Sequence, residues 1–144
     1  MSLIMFNASI LKSKKLQEWG SSVGVTRYLY KVAIFDEKIK GIATILNDEN
    51  CAGHNDWKLI SSRQTDFNNQ DQVINNIKGK VEVLDNDYYP KLKGEKGILK
   101  INPSKVENSL LLKSALENEN MQLKKIKIGQ KEIANYILDH LLVK

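Results

Sequence analysis

The order of hydrophobic and polar positions along the chain predicts alternating strands and helices. Residues 26–35 carry apolar or aromatic side chains on both alternating faces, which is typical of a central strand. Residues 39–46 return after a short polar turn, and we expect them to pair with 26–35 as a hairpin. Residues 103–118 and 130–142 carry apolar residues at helical spacing, so each predicts a helix with one buried face.

Shorter segments complete this interpretation. The pattern predicts helices at 8–19 and 68–78, and strands at 57–63, 80–84, 98–101 and 122–128. Asn102 followed by Pro103 is typical of the first residues of a helix. We therefore predict a single α+β domain over residues 1–144, with a mostly antiparallel sheet, three to four helices and a C-terminal β-α-β-α segment. That last segment could add a right-handed parallel strand pair.

Composition narrows the class of protein and the compartment. Of the 144 residues, 42% are apolar and 27% are charged, which is ordinary for a globular domain and excludes a collagen-like or multi-span membrane chain. Cys51 is the single cysteine, so the chain forms no internal disulfide, and we expect a reducing, cytoplasmic location. We expect no metal, no cofactor and no membrane association. The excess of lysine, asparagine and isoleucine indicates an AT-rich genome, bacterial or phage.

Positive charge is concentrated in one part of the chain. Residues 91–131 contain ten lysines and four glutamates, whereas Lys/Arg and Asp/Glu balance over residues 1–90. Such asymmetry is typical of a surface for nucleic acid or an acidic partner. Its densest part supplies the candidate nucleic-acid-binding residues Lys124, Lys125, Lys127 and Lys131. The block holds no aromatic residue and no arginine, so binding through it would be phosphate-driven and salt-dependent; solubility is the alternative role.

Motifs for catalysis are sparse. The phosphate-binding loop, the dinucleotide fingerprint and the Gly-x-Ser-x-Gly nucleophile motif are all absent from the sequence. The polar loop 47–56 places Cys51, His54 and Asp56 close together, and these are the candidate catalytic residues, with the thiol as nucleophile and the imidazole of His54 or of His140 as its base. Metal binding by the same side chains is a second reading. Ordinary loop composition is the third.

Aromatic residues beside polar turns suggest a further surface. Trp57 and the pair Tyr88 and Tyr89 each adjoin such a turn, where a half-exposed ring can mark a binding patch or the edge of a core. Taken together, the sequence favours binding over catalysis. We expect a small non-catalytic binding or regulatory module that acts through interaction with another protein. The alternatives are a nucleic-acid-binding protein that uses the lysines of 91–131, and a small enzyme with its site in loop 47–56.

Overall fold

Five strands and five helices are found among the residues that the structure, a computed structural model, describes: 6–36, 41–65, 67, 70–77, 80–84, 88–89, 92, 97–109 and 129–141. The strands are β1 (Phe6–Ser13), β2 (Leu29–Asp36), β3 (Trp57–Thr65), β4 (Glu82–Val83) and β5 (Ile98–Lys100). The helices are α1 (Lys14–Ser22), α2 (Ile42–Asp48), α3 (Gln70–Ile77), α4 (103–109) and α5 (Gln130–Leu141).

The strands form one antiparallel sheet in the order β3-β1-β2-β5-β4. The long strands β1 and β2 lie near its centre, in a register that pairs Ile10 with Val32. The predicted α+β class and mostly antiparallel sheet are therefore confirmed. The predicted number of helices, three to four, is one too low because α2 occupies a segment that we assigned to a strand.

Helices cover both faces of this sheet. Successive side chains of a strand point to opposite faces, so β2 buries Tyr30 and Val32 on one side and Leu29 and Ala33 on the other. The first face packs against α3, α4 and α5, and the second packs against α1, α2 and Trp57. This double burial explains why residues 26–35 are apolar at nearly every position.

The predicted helix at 8–19 is wrong in its first half. Phe6–Ser13 is a strand, in which Ala8 and Ile10 enter one core and the helix begins only after Ser13. The Ser13 hydroxyl accepts a hydrogen bond of 3.1 Å from the Leu16 N–H, which is the geometry of an N-cap. Ser13 therefore marks the change from strand to helix.

The predicted hairpin of 26–35 with 39–46 is also wrong. Ile42–Asp48 is a helix, and β2 pairs instead with β1 and β5. Gly41, directly before this helix, has φ of +74°, a conformation that favours glycine. Ile42 and Leu46 are four residues apart and are both buried, so the segment buries one face as a helix.

Most other elements agree with the sequence. Strands β3 and β5 and helices α3 and α5 lie within a few residues of their predictions, and β4 covers two residues of the predicted 80–84. The cap of α4 is confirmed, because Oδ1 of Asn102 accepts a 2.9 Å hydrogen bond from the Ser104 N–H. The predicted strand 122–128 and the end of the helix predicted to 118 lie outside the described residues. No described helix has the length and apolar character that crossing a bilayer requires.

Candidate functional site

The loop between α2 and β3, which contains Cys51 and His54, is held by a dense set of hydrogen bonds. The Trp57 N–H donates to Oδ1 of Asn47 at 2.6 Å, and Nδ2 of Asn47 donates to the Trp57 carbonyl at 3.2 Å. The Trp57 indole N–H donates to the Cys51 carbonyl at 2.9 Å. Asn50 and Ala52 adopt positive φ, so the chain turns tightly here. As a result Cys51 is 2% exposed and His54 is 7% exposed.

Asp56 anchors the first turn of α1. Its Oδ1 accepts a 2.5 Å hydrogen bond from the Ser13 hydroxyl, and its Oδ2 accepts one of 3.0 Å from the Lys15 N–H. Burial raises the pKa of this carboxyl, but the hydrogen bonds from Ser13 and Lys15, together with nearby His54, lower the pKa more, so it lies below 3.8. A carboxylate at a helix N-terminus also interacts favourably with the helix dipole.

These contacts place the three candidate catalytic residues in the folded structure. The Cys51 thiol and the His54 imidazole lie in the protein interior, and the Asp56 carboxylate is engaged by α1. Across the described part of the chain, no three His, Cys, Asp or Glu side chains are grouped so that they could hold a metal ion. Cys51, His54 and Asp56 do not line the cleft that opens at the β4–β5 edge of the sheet.

A cleft of about 350 Å³ opens beside the β4–β5 edge of the sheet, between that edge and helices α4 and α5. Such a volume is at the lower end of the range for pockets that hold a small ligand. Its lining residues come from four separate parts of the chain: Thr26; Lys80, Val81 and Glu82; Lys100, Ile101, Asn102, Pro103 and Lys105; and Tyr136.

The cleft is positively charged, because three lysines face one glutamate. Nζ of Lys100 lies 3.8 Å from Glu82, and both side chains are well exposed, so this ion pair is loose. Nζ of Lys80 donates a 3.2 Å hydrogen bond to the His140 carbonyl near the end of α5. Lys105 lies on the exposed side of α4. The three lysines thus line the cleft from β5, from α4 and from the turn before β4.

One wall of the cleft is aromatic. The Tyr136 ring lines it, and its centroid lies 4.1 Å from that of His140. The His140 ring, through Nδ1, forms a 2.8 Å hydrogen bond with the Tyr136 carbonyl, so the two side chains are fixed on α5. Burial raises the pKa of Tyr136 further above neutral pH, and its protonated hydroxyl can donate a hydrogen bond.

Polar groups of the cleft retain donors for a ligand. Oγ1 of Thr26 accepts a 3.1 Å hydrogen bond from the Tyr28 N–H, which leaves the hydroxyl proton free to donate elsewhere. The Tyr28 carbonyl accepts a 3.0 Å hydrogen bond from the Ile101 N–H, which ties residues 26–28 to β5. Backbone hydrogen bonding therefore holds this part of the cleft wall against the end of β5.

A second surface feature is a set of aromatic rings, Trp19, Tyr88 and Tyr89, which we call the aromatic cluster. Edge contacts join Trp19 to Tyr89 with centroids 5.9 Å apart, and Tyr88 to Tyr89 at 4.8 Å. Tyr88 is 73% exposed, whereas Trp57, named with it in the sequence analysis, is 2% exposed and belongs to the core. Of the two roles that the sequence left open for Trp57, a binding patch or the edge of a core, the structure shows the core.

The cleft brings together residues from inside and outside the basic block 91–131. Lys100 and Lys105 belong to the basic block 91–131, but Lys80 and Tyr136 lie outside it. Among the named lysine candidates, Lys131 is exposed in the first turn of α5, and Lys124, Lys125 and Lys127 lie outside the described residues. The basic block in the sequence pointed to this cleft, whereas nothing in the sequence pointed to its aromatic wall.

Comparison with protein-family models, with curated proteins and with solved structures finds no match to this chain.

Proposed function

We propose that the protein is a non-catalytic binding module whose ligand carries a phosphate group, held in the lysine-lined cleft. The observation that supports this proposal is the convergence of Lys80, Lys100 and Lys105 on one cleft of about 350 Å³, opposed by Glu82 alone among its lining residues. Phosphate oxygens accept several charge-assisted hydrogen bonds at once, and lysine ammonium groups are donors without acceptor capacity.

The polar wall strengthens this interpretation over that of a merely solvated charged face. Thr26 and Tyr136, whose hydroxyls can donate hydrogen bonds, line the same cleft as the three lysines. A site with several donors and one carboxylate favours an anion, and it disfavours a cation or an apolar ligand. The expected ligand chemistry is therefore a phosphate ester or anhydride.

The direct test is calorimetric titration of the full chain with inorganic pyrophosphate, between about 50 and 200 mM salt. We expect binding at low salt that weakens as salt rises. The double variant Lys100→Glu, Lys105→Glu should lose at least about ten-fold in affinity, because two attractive charges become repulsive. No binding of pyrophosphate at low salt would overturn the proposal.

A matched control separates the cleft from net charge. Lys14 and Lys58 are exposed. Lys58 lies on β3, at the opposite edge of the sheet from β4, and Lys14 lies on α1, which packs on the face of the sheet opposite to α4 and α5. The double variant Lys14→Glu, Lys58→Glu changes the net charge by the same amount and should leave pyrophosphate affinity unchanged. An equal loss in both double variants would show that total charge, and not the cleft, governs binding.

Protein interaction is the second candidate function, and the aromatic cluster favours it. Tyrosine and tryptophan are enriched among the residues that dominate binding energy at protein interfaces, and Tyr88 is 73% exposed. Pairing along β3 is disfavoured, since Ile60 forms a bulge in that edge strand and Lys58 and Arg63 place charges on it.

We propose a second copy of the chain as the partner for the aromatic cluster, because a two-fold axis through it would stack the same rings of both copies. Sedimentation velocity over a range of protein concentrations measures this association. Tyr88→Ser should shift the equilibrium towards the monomer. A wild-type chain that stays monomeric at every concentration would remove this second candidate.

A further inference from the structure

The cleft combines cationic and aromatic groups in a way that the basic block of the sequence does not. Residues 91–131 contain no aromatic side chain and no arginine. In the folded chain, however, Tyr136 of α5 lines the same cleft as Lys100 and Lys105. A ligand whose phosphate contacts the lysines therefore has an aromatic residue lining the same cleft.

A second aromatic and cationic pair stands at the edge of this site. The Arg27 guanidinium lies 4.9 Å from the centroid of the Tyr28 ring and donates a 2.7 Å hydrogen bond to the Tyr28 hydroxyl. Residues 26–28 are bound to the cleft wall through Thr26 and through the bond between Tyr28 and Ile101. Arg27 is exposed, and Arg27 and Tyr28 directly follow Thr26, which lines the cleft.

From this arrangement we infer that the ligand of the cleft is a nucleotide, whose phosphates contact the lysines and whose base packs against the Tyr136 ring. This inference rests on the proposed phosphate-binding function and extends it. Bases stack on aromatic side chains regardless of their sequence, because every base has a π-face. A volume of about 350 Å³ admits a nucleotide-sized ligand. A free nucleotide and one unit of a single-stranded nucleic acid share this chemistry.

The first experiment needs no variant and compares pyrophosphate with adenosine diphosphate by calorimetry on the wild-type chain. We expect adenosine diphosphate to bind about ten-fold more tightly, through the contribution of the stacked base. Equal affinities would overturn the nucleotide inference and leave the phosphate-binding function standing. If neither compound binds at low salt, both proposals fall together.

The second experiment tests whether Tyr136 provides the additional affinity for adenosine diphosphate. Tyr136→Phe keeps the ring and should keep the preference for adenosine diphosphate, whereas Tyr136→Leu should lose that preference but still bind pyrophosphate. The control Phe6→Leu alters a partly buried ring of β1 that does not line the cleft, and it should change neither affinity. If Tyr136→Leu fails to fold, the comparison of the two ligands on the wild-type chain still decides the inference. Persistence of the preference in a folded Tyr136→Leu would contradict it.

A third comparison identifies the source of the nucleotide. A single-stranded oligonucleotide is titrated beside adenosine diphosphate and beside a duplex of the same sequence. Tighter binding of the single strand than of either alternative assigns the site to single-stranded nucleic acid, because its bases are free to stack. Tighter binding of adenosine diphosphate assigns it to a free nucleotide. A duplex that binds most tightly would overturn base recognition by Tyr136, since its bases are stacked on each other.

Discussion

The hydroxyl of Ser13 lies 2.5 Å from Oδ1 of Asp56 and donates a hydrogen bond to it, although the two residues are 43 positions apart in the sequence. The same hydroxyl oxygen accepts from the Leu16 N–H, while Oδ2 of Asp56 accepts from the Lys15 N–H. The loop before β3 thus holds the first turn of α1. Asp56, a candidate acid from the sequence, has a capping role here.

We predict that Asp56→Asn destabilises the fold by about 1–2 kcal/mol, because it removes a charged acceptor of two hydrogen bonds in a partly exposed site. Urea unfolding followed by circular dichroism measures this loss. Asp48→Asn, an acidic residue of α2 outside this network, is the control and should change stability little. An unchanged midpoint in Asp56→Asn would show that solvent replaces the lost bonds.

The same network predicts a pH dependence of stability. The pKa of Asp56 lies below its ordinary 3.8 in the folded chain, since the hydrogen bonds from Ser13 and Lys15 outweigh the effect of burial. Its contribution is therefore complete above about pH 5 and is lost as pH falls through the folded pKa. The difference in unfolding free energy between wild type and Asp56→Asn should shrink below pH 4. A difference that stays constant down to pH 2 would exclude the linkage.

The central strand β2 could be predicted from the sequence because residues 26–35 carry apolar side chains on both faces, and both faces of β2 are buried. The hairpin prediction failed for 39–46 because a short run such as Ile42 to Leu46 fits a strand as well as one turn of buried helix. Only its packing on the sheet decides between them. The same ambiguity explains why β1 was assigned to a helix.

The candidate site could be predicted only in part. Lysines near each other in the sequence drew attention to 91–131, and two lysines of that block, Lys100 and Lys105, do line the cleft. Thr26, Lys80 and Tyr136 join them through long-range packing, and such convergence leaves no periodic signal in the chain. The candidate loop 47–56 was chosen for its polar residues, but their hydrogen bonds serve the fold.

Gly20 of α1 lies close against the backbone of Thr26, a residue that lines the cleft. A Cβ atom at this position would overlap the Thr26 carbonyl oxygen and lie 2.6 Å from Cδ1 of Leu29. We predict that Gly20→Ala lowers the unfolding free energy by about 1–2 kcal/mol, because overpacking outweighs the better helix propensity of alanine. Ser21→Ala, one residue further along α1 and exposed, should be neutral or stabilising in the same thermal melts. Equal stability of the two variants would show that the backbone yields without cost.

The ion pair between Arg63 and Asp139 joins β3 to α5 at 2.6 Å, but its side chains are 40% and 54% exposed. We predict a coupling energy of at most about 0.5 kcal/mol in a double-mutant cycle of Arg63→Ala and Asp139→Ala, because solvent screens exposed charges. High salt should reduce it further. A coupling above about 2 kcal/mol would mean that this pair behaves as a buried one.

The environment of Cys51 predicts an unreactive thiol. The residue is 2% exposed, and its carbonyl accepts hydrogen bonds from the Trp57 indole at 2.9 Å and from the His54 N–H at 3.0 Å, so the loop covers it from both sides. Reaction with a chromogenic disulfide reagent should be slow in native buffer and should become fast in urea, because the thiol must first be exposed by unfolding. Cys51→Ala should cost about 1 kcal/mol, from the small cavity it leaves, without changing pyrophosphate affinity. Rapid labelling of the folded chain would instead show a thiol open to ligands, and it would restore Cys51 with His54 as a candidate nucleophile and base.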